Sequence, residues 1–474
     1  MEKKFLTDLT EISWKLRNVE EAARGEALVR ELAVLNELIP LGVYLPLGLS
    51  SSQHHTVVRI PYTEAAYFST YDKVPLLLYL EVIDTGIDCT RPYDSKAFTG
   101  EVTMTSAHRL QHVREIFCHP VSLRAHTTRD KKAPRSRKRG VSIGSQQMFN
   151  LALESSATPS PPGDTKKATL IHSLSLAGPP KASGAQHLQE SVFGEAWTER
   201  RRRIKRTSPF GDIPGWRLVS VIVKANDDLR QEQFAMQLIK TFKEIWEAAN
   251  LPLQLRTYEI LAITSNTGIM ETIIDAVSIS TLKKRLGAGL TLQNFYDQVV
   301  GWGSTDLMLI QKNFVETVAA TSLLCYFLQV KDRHNANILI DRTGRVIHVD
   351  YGWILDNTMP INLESAPFKL TQEMTEVMGG ANSPLFQRYR KLCVQGFLEA
   401  RSRYERIALL LEAMESAGLQ CIQPTTVSSV RQRFQLHLSQ KDCETYIQGL
   451  IDASLNSWST GVYDAFQKYY ANIY

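Results

Sequence analysis

The chain has 474 residues, which is enough for two or three domains with sizeable hydrophobic cores. Its net charge of +5 is modest for this length, so the location of the charge matters more than its total. The six cysteines have no CxxC spacing, which favours reduced thiols in a cytosolic protein. The start, Met1-Glu-Lys-Lys-Phe, leads into an amphipathic stretch and does not resemble a signal peptide. The longest apolar run, residues 317–330, is too short to span a bilayer and predicts a buried helix, so we expect only peripheral membrane contact.

The first predicted elements are helices, followed by strands. Apolar residues recur at three- and four-residue steps through residues 5–40, which predicts amphipathic helix ending at Pro40. Residues 57–60 and 76–83 predict strands, and the second is long enough to lie in the centre of a sheet.

A change of composition marks an insertion. Residues 118–192 contain one aromatic residue, Phe149, and cannot bury enough apolar surface to offset their ordering entropy. We therefore predict a low-complexity, largely disordered insertion over residues 91–192. Its basic cluster between Arg129 and Arg139 favours a solvated tether, with a nucleic-acid or nuclear-import patch and an anionic-membrane patch as alternatives.

Order returns at Phe193 with a predicted helix over residues 196–206. Its four consecutive arginines, residues 200–203, favour a solvated face. The turn at residues 208–215, SPFGDIPG, separates this helix from a predicted strand at 216–224. Backbone amides of this turn and the Ser208 hydroxyl could face an anion, which predicts a phosphate-covering loop.

Lys224 closes the apolar strand and would be costly to bury unless an anion met it. A nucleotide phosphate and a helix carboxylate are anions of this kind. Glu232, in the first turn of a helix predicted to run to about residue 248, is the candidate partner. A lysine that reaches solvent from the strand end is the alternative.

Residues 258–264 predict a further strand, and residues 268–273 a connection from a small sheet lobe to a larger helical lobe. The chain ends in an aromatic stripe on a predicted amphipathic helix, formed by Trp458, Tyr463, Phe466 and Tyr470. Packing on the core is the favoured role of this stripe, and contact with a membrane interface is the alternative.

The stretch 331–353, KDRHNANILIDRTGRVIHVDYGW, carries the strongest functional pattern. Two β-rich runs around a turn predict a hairpin that brings Asn337 next to Asp350. Oxygen ligands from these two side chains could hold Mg²⁺ against nucleotide phosphates, while Asp332 receives a hydroxyl proton. The spacing Asp-x₄-Asn, followed by Asp350-Tyr351-Gly352, is that of a protein-kinase catalytic loop and its D-F-G motif. A surface hairpin with polar ends is the alternative.

Four motifs resemble the phosphatidylinositol 3- and 4-kinase family: VIVKANDDLRQE (221–232), DRHNANILID (332–341), HVDYG (348–352) and APFKLTQEM (366–374). Further segments, including NELIPLGVYLPLG (36–48), SPFGDIPGWRLVSVIVK (208–224) and EVMGG (376–380), are similar to its class III beta 4-kinases. The resemblance implies an α+β, two-lobed kinase-like fold with a small antiparallel-sheet amino-terminal lobe and a larger, mostly helical carboxy-terminal lobe. The family's preceding helical repeat domain is not seen, so we expect a fragment or a short form.

The predicted domains are an N-terminal helical segment (1–50), the first part of the amino-terminal lobe (51–90), the insertion (91–192), the rest of that lobe (193–273) and the carboxy-terminal lobe (274–474).

The resemblance also implies roles for individual residues. Those expected to bind ATP are Ser208, Pro209 and Phe210 in the phosphate loop, Lys224, Glu232, Tyr258 behind the adenine, and the hinge residues Glu271, Thr272 and Ile273. Those expected to act on the transferred group are Asp332, His334 and Lys224, with Asn337 and Asp350 as metal ligands. Tyr351 replaces the usual phenylalanine of D-F-G, and its hydroxyl needs a partner.

The presumed activation loop indicates the substrate. Residues 353–368 contain no lysine or arginine but do contain Asp356 and Glu364. A head group with extra phosphate monoesters would require basic partners, so this composition favours unmodified phosphatidylinositol. Lys369 is the one base placed to meet it.

We therefore predict a phosphatidylinositol 4-kinase that uses ATP and Mg²⁺, with Mn²⁺ as an alternative metal. An atypical serine/threonine protein kinase and a non-catalytic scaffold are the alternative functions. The expected partners are phosphatidylinositol in membranes and, by resemblance, small GTPases and Golgi adaptors, with no nucleic acid. The expected location is cytoplasmic, peripherally associated with the Golgi or other endomembranes.

Overall fold

The computed structural model describes residues 2–39, 43–47, 53–68, 73–88, 184–287, 290–301, 303–359, 364–455, 457–471 and 473. These residues form two compact units, which are described separately. The first unit contains the described residues up to 88 together with residues 198–226. The second unit contains residues 184–197 and the described residues from 227 onward. The sequence placed the change of lobe at residues 273 and 274, and those domain bounds stay a prediction.

The helices in chain order are α1 (Glu2–Arg17), α2 (Arg24–Glu37), α3 (Gly184–Phe193), α4 (Trp197–Thr207), α5 (Arg230–Ala248), α6 (Ile279–Leu286), α7 (Leu292–Val300), α8 (Thr305–Leu328), α9 (Gln372–Val377), α10 (Pro384–Ser402), α11 (Tyr404–Ala413), α12 (Thr426–Arg433), α13 (Gln440–Ser454) and α14 (Trp458–Ala471). The strands are β1 (Gln53–Arg59), β2 (Ala66–Tyr67), β3 (Leu76–Asp88), β4 (Trp216–Ala225), β5 (Ile260–Thr264), β6 (Thr267–Glu271), β7 (Ala276–Ser278), β8 (Ile338–Asp341) and β9 (Val346–His348).

Strand β3 is the centre of the first unit. It pairs antiparallel with β1 on one side and with β4 on the other, and β2 adds at its beginning. Its register with β4 is continuous from Leu76, opposite Val223, to Ile83, opposite Trp216. The side chains along β3 from residue 76 to 83 are buried, as expected of the central strand that the sequence predicted. The predicted helical region 5–40 forms two helices, α1 and α2, while Pro40 lies outside the described residues.

Helix α8 is the centre of the second unit. All of its residues from 313 to 328 are buried, which confirms the predicted buried helix. It packs against α10, where a β-carbon on Gly396 would come within 2.7 Å of Leu323 Cδ1. Near its carboxyl end, the Phe327 ring stacks at centroid distances of 5.3, 5.3 and 4.6 Å on three other rings, those of Phe242, Phe397 and Phe434. Helix α8 ends at Leu328, shortly before the stretch 331–353.

An antiparallel sheet in the smaller unit and a mostly helical larger unit confirm the predicted α+β class. Residues 268–271 of the predicted connection lie in strand β6, which pairs antiparallel with β5, and their place between the two lobes stays a prediction. The turn between these strands is closed by Thr264 Oγ1, which contacts Asn266 Oδ1 and Thr267 Oγ1 at 2.8 Å. Strands β5 and β6 thus form a two-residue hairpin.

The arginine run of α4 was predicted as a solvated face, and this is only partly right. Arg203 makes two hydrogen bonds to the Glu64 carboxylate, at 2.6 and 2.9 Å. Arg200 donates to the Tyr79 hydroxyl at 2.9 Å, whereas Arg202 is exposed beside Glu199. Two of the four arginines thus fix α4 within the first unit.

Of the predicted insertion, residues 184–192 lie in helix α3, and the rest falls outside the described residues together with its basic cluster. The part of the chain that the structure describes contains no helix with both the length and the apolar character needed to cross a bilayer. Within the predicted aromatic stripe on α14, Tyr463 is buried, whereas Trp458 and Phe466 are 81% and 43% exposed. Tyr463 thus packs on the core, and contact of the stripe with a membrane interface stays a prediction.

Candidate active site

The predicted hairpin is present in the second unit. Strands β8 and β9 pair antiparallel from Ile338, opposite His348, to Ile340, opposite Val346. Asp341 Oδ1 closes the turn by accepting hydrogen bonds from the amides of residues 343 and 345. At the other end, the Val349 amide donates to the Asn337 carbonyl at 3.1 Å. Asn337 and Asp350 are therefore neighbours, as the spacing predicted.

These two side chains offer oxygen atoms suited to a divalent cation. The Asn337 amide nitrogen donates to the Asp332 carbonyl at 3.0 Å, which orients its own side-chain oxygen away from that bond. Asp350 Oδ1 accepts only a long hydrogen bond, 3.3 Å, from the Gly352 amide. Hard oxygen donors of this kind fit Mg²⁺, which takes its remaining ligands from phosphates and water. Within the described ranges no cluster of three or more His, Cys, Asp or Glu residues suits a metal ion, and the metal role of Asn337 and Asp350 stays a prediction.

Arg333 joins the two ends of the stretch 331–353, which is called the catalytic stretch below. Its side chain is buried and donates to three backbone carbonyls: those of Lys331 at 3.0 Å, Val349 at 2.8 Å and Asp350 at 2.5 Å. The guanidinium also lies 5.6 Å from the centre of the Tyr351 ring. The Tyr351 hydroxyl, which needed a partner, donates to the His348 carbonyl at 3.3 Å.

Asp332 and His334 are both buried in this stretch. His334 Nδ1 accepts the Ala336 amide at 3.2 Å, so Nε2 carries the ring proton. Burial, followed by the charges of Arg333 and Lys369, holds the pKa of His334 well below its usual value, so the ring is neutral. His334 Nε2 lies 3.8 Å from Asp332 Oδ1.

Two polar atoms of this pair are left without a hydrogen bond among the described residues. They are Asp332 Oδ2, an acceptor, and His334 Nε2, a donor. A buried donor and acceptor side by side are costly unless a ligand satisfies them. A hydroxyl group, which both donates and accepts, is the simplest ligand that would do so.

Burial raises the pKa of the Asp332 carboxyl to about 7, and the negative charge of Asp350 adds to this. A hydrogen bond from the Tyr463 hydroxyl opposes the rise. A carboxylate with this pKa is a competent general base near neutral pH. Both Asp332 and Asp350 also have left-handed backbone, with φ of 65° and 62°. Such conformations are uncommon outside glycine and concentrate at functional sites.

The sequence did not indicate that α14 reaches Asp332. Tyr463 donates to Asp332 Oδ1 and accepts a hydrogen bond from Gln467 Nε2 at 2.7 Å. The next residue, Asp464, accepts two hydrogen bonds from Lys369 Nζ, at 2.6 and 2.8 Å. The aromatic stripe was the only sequence signal for α14, and such a pattern does not identify a contact more than a hundred residues away in the chain.

Lys369 differs from its expected position. It was predicted to meet the substrate, but its side chain is buried, and its ammonium binds Asp464 and, at 2.9 Å, Asn335 Oδ1. Burial lowers the pKa of Lys369, while the Asp464 carboxylate favours its charged form. A buried ammonium needs such a counter-charge, so the lysine joins α14 to the catalytic stretch.

Glu364 also has an unexpected role. It was counted as an acid of the activation loop, but its carboxylate accepts the backbone amides of Asp332 at 2.6 Å and Arg333 at 2.9 Å. Asp356 is likewise engaged, since it accepts the Thr426 hydroxyl at 2.5 Å. These acids therefore organise the loop.

The residues expected around the nucleotide fall in both units. In the second unit, Glu232 accepts the Tyr258 hydroxyl at 2.7 Å, and Glu232 and Asp350 line one cleft of about 270 Å³. The Glu271 carboxylate accepts a hydrogen bond from Arg256 at 2.7 Å, while the predicted adenine contact of its backbone stays a prediction. Burial raises the pKa of Glu271. Thr272 has a buried hydroxyl, and Ile273 is buried.

In the first unit, Lys224 is buried near the end of β4, with 3% of its surface exposed, so the solvent-reaching alternative was wrong. Its predicted pairing with Glu232 stays a prediction. Ser208, Pro209 and Phe210 begin the loop between α4 and β4. The Ser208 hydroxyl donates to the buried carboxylate of Glu81.

Comparison with known proteins gives a family match over part of the chain. The family model described as "Phosphatidylinositol 3- and 4-kinase" matches residues 218–295 and 288–423. Residues 218–423 therefore contain a phosphatidylinositol 3- and 4-kinase domain. All four motifs on which the sequence resemblance rested lie inside the matched residues. Ser208 and Tyr463 lie outside them.

Several curated relatives of this chain carry the 4-kinase name. "Phosphatidylinositol 4-kinase" of Dictyostelium discoideum is 35% identical over 99% of this chain and 46% of its own length. "Phosphatidylinositol 4-kinase beta 2" of Arabidopsis thaliana is 40% identical over 79% of this chain and 34% of its own length. "Phosphatidylinositol 4-kinase beta" of Xenopus tropicalis is 32% identical over 98% of this chain and 60% of its own length. The chain thus spans only part of each of these relatives.

Proposed function

We propose that this chain is a phosphatidylinositol 4-kinase that transfers the γ-phosphate of ATP to the 4-hydroxyl of phosphatidylinositol. The observation that carries the proposal is the pair of unsatisfied buried atoms, Asp332 Oδ2 and His334 Nε2, close to the side chains of Asn337 and Asp350. The choice of the 4-hydroxyl rests on the names of the relatives.

The chain's own groups suggest the course of the reaction. The inositol hydroxyl would donate its proton to Asp332 Oδ2 and accept a hydrogen bond from His334 Nε2. Its oxygen would form a bond to the γ-phosphorus as the bond to the β–γ bridging oxygen breaks, and Asp332 would keep the proton. Lys224 would neutralise phosphate charge, as strand lysines do in kinases. Mg²⁺ held by Asn337 and Asp350, with Mn²⁺ as an alternative, would supply further charge neutralisation.

The remaining predicted contacts concern binding of ATP. Tyr258 would lie behind the adenine, and the backbone of Glu271, Thr272 and Ile273 would bind its edge. Glu232 would pair with Lys224. The loop beginning at Ser208, Pro209 and Phe210 would cover the phosphates. Positioning and electrostatics of this kind supply most of the rate in phosphoryl transfer.

The proposed lipid substrate is phosphatidylinositol without further phosphates. Lys369, the one cation expected to contact the head group, is paired with Asp464. The preceding segment, residues 353–368, contains no lysine or arginine. A head group with phosphate monoesters would find no basic partner there. The exposed Trp458 and Tyr469 suit the head-group region of a bilayer, which supports peripheral contact with Golgi or other endomembranes. Recruitment by small GTPases and adaptors belongs to the same proposal.

Phosphate transfer from labelled ATP with Mg²⁺ to phosphatidylinositol vesicles tests this function. The Asp350→Asn variant is the matched control because asparagine tolerates the left-handed backbone at this position. We expect a 4-phosphate product from the native chain and none from the variant. A mixture of peptides tested in parallel distinguishes a protein kinase. No lipid product from folded, ATP-binding protein would refute the proposal, and phosphopeptide alone would favour a protein kinase.

A further inference from the structure

A buried carboxylate lies at the base of the loop between α4 and β4. Glu81 belongs to the central strand β3, opposite Arg59 on β1 and Leu218 on β4. Its side chain is fully buried. Burying a carboxylate in the middle of a sheet is costly unless hydrogen-bond donors surround it. The donors that contact Glu81 therefore indicate its structural role.

Three donors converge on Glu81. Arg59 Nη1 donates to Oε1 at 2.5 Å and supplies the opposite charge. Trp216 Nε1 donates to Oε2 at 2.9 Å, and the Ser208 hydroxyl donates to the same oxygen. Ser208 is the first residue of the 208–215 loop, and Trp216 is the first residue after it. One carboxylate therefore joins both ends of this loop.

The single proton of the Ser208 hydroxyl is already donated in this arrangement. A serine hydroxyl has one proton to donate, and here Glu81 accepts it. The hydroxyl oxygen in turn accepts the Phe210 amide at 3.0 Å. The same hydroxyl cannot donate to a phosphate oxygen while this bond is present. The family resemblance assigned Ser208 to phosphate binding, whereas its contacts are those of an anchor.

The rest of the loop folds closely over this base. The Gly211 amide donates to the Ser208 carbonyl at 3.3 Å, and the Ile213 amide to the Phe210 carbonyl at 3.0 Å. A β-carbon on Gly211 would lie 2.0 Å from the Lys205 carbonyl oxygen at the end of α4. The loop thus has little freedom once its two ends are fixed, and its position depends on Glu81.

We infer that Glu81 is a positioning residue for the phosphate loop, acting through Ser208 and Trp216 to hold the loop where it covers the phosphates of ATP. This inference rests on the proposed function. It assigns the Ser208 hydroxyl to Glu81 and leaves phosphate binding by the loop to the backbone amides of Asp212 and Gly215, which no hydrogen bond within the loop uses. Preorganised amides bind anions without an ordering cost at the moment of binding.

Binding of ATP and of adenosine to the full chain, measured by calorimetry, tests the inference. Adenosine has the base and ribose but no phosphates, so it reports on the rest of the nucleotide site. Glu81→Gln keeps the shape but cannot accept all three donors, which loses a charge-assisted hydrogen bond. We expect ATP affinity to fall about tenfold, while adenosine affinity changes by less than about twofold.

Two further variants separate the anchor from direct phosphate contact. Ser208→Ala alone should weaken ATP binding, and in the Glu81→Gln background it should add no more than about a twofold loss, because both changes disrupt the same bond. Trp216→Phe removes the donor at the other end of the loop and should also weaken ATP selectively. It carries the test if Glu81→Gln does not fold, as judged by its thermal unfolding. Asp84→Asn is the matched control, since Asp84 pairs with Arg217 on the same two strands, and we expect no change in either affinity.

Three results would overturn the inference. The first is unchanged ATP affinity in folded Glu81→Gln, or in Trp216→Phe if Glu81→Gln is unfolded. The second is an equal loss of affinity for ATP and for adenosine. The third is a fully additive loss of ATP affinity in the double variant. Because these measurements need no lipid, failure of the proposed 4-kinase activity would appear separately, as absence of lipid product from native protein that binds ATP.

Discussion

The catalytic stretch depends on one buried guanidinium, and Arg333→Lys tests that dependence. Arg333 donates in three directions, to the carbonyls of Lys331, Val349 and Asp350. These bonds join the chain before the hairpin to the end of its second strand. A lysine has the same charge but a single ammonium on a flexible stem, so it cannot reproduce the planar fork.

The size of the effect follows from the contacts. An ammonium at this position can reach about one of the three carbonyls, which leaves two buried acceptors unsatisfied, and each lost hydrogen bond to a charged group costs about 1.5–3 kcal/mol. We therefore expect the free energy of unfolding to fall by about 3–6 kcal/mol. Because Arg333 also fixes the backbone of Asp350, turnover should fall about a hundredfold even where the variant is folded.

Urea unfolding and lipid-kinase turnover, measured on the same preparation, provide the assay. Arg345→Lys is the matched control, because Arg345 lies in the same hairpin but has 39% of its side chain exposed. It should change stability by less than about 1 kcal/mol. An Arg333→Lys protein within about 1 kcal/mol of the native stability and with native turnover would refute the reasoning.

Three further predictions concern α14 and the cation. Tyr463→Phe removes a hydrogen bond that favours ionised Asp332, so the pKa of that carboxyl should rise. The acid limb of the pH–rate profile should then move to higher pH by about one unit. An acid limb that stays in place or moves to lower pH would contradict this. Asp464→Asn leaves the Lys369 ammonium buried without its counter-charge and should lower the free energy of unfolding by about 3 kcal/mol. This deficit, measured in urea, should shrink as the pH rises toward the usual lysine pKa; equal stability at neutral pH would show the pair to be dispensable. Chelation of divalent cations should stop phosphate transfer without unfolding the chain, and added Mg²⁺ should restore it; transfer that persists in chelator would refute the cation site.

Local patterns predicted the site where the chemistry depends on near neighbours in sequence. Asn337 and Asp350 are brought together by a hairpin with its own turn signal, and the structure has this hairpin. The central strand β3 and the buried helix α8 were also predicted, because long apolar runs leave little choice of environment.

The partners of polar side chains could not be predicted in the same way. Lys369 was predicted to contact the substrate because it is the first base after a presumed activation loop without lysine or arginine, but Asp464 binds it from α14. Glu364 looked like a free acid, and it binds the amides of Asp332 and Arg333. Such pairings depend on how distant segments pack, which no short pattern records.

The left-handed backbone at Asp332 and Asp350 has a consequence for genetics. Asparagine shares aspartate's tolerance of this conformation, whereas alanine or valine would add a backbone cost of about 1–2 kcal/mol. An aspartate codon becomes an asparagine codon by one base change. Asparagine alleles at these positions should therefore produce normal amounts of inactive protein that still competes for binding sites in the cell. Alanine and valine alleles should reduce protein abundance as well, so the two classes of null allele can be separated by immunoblot.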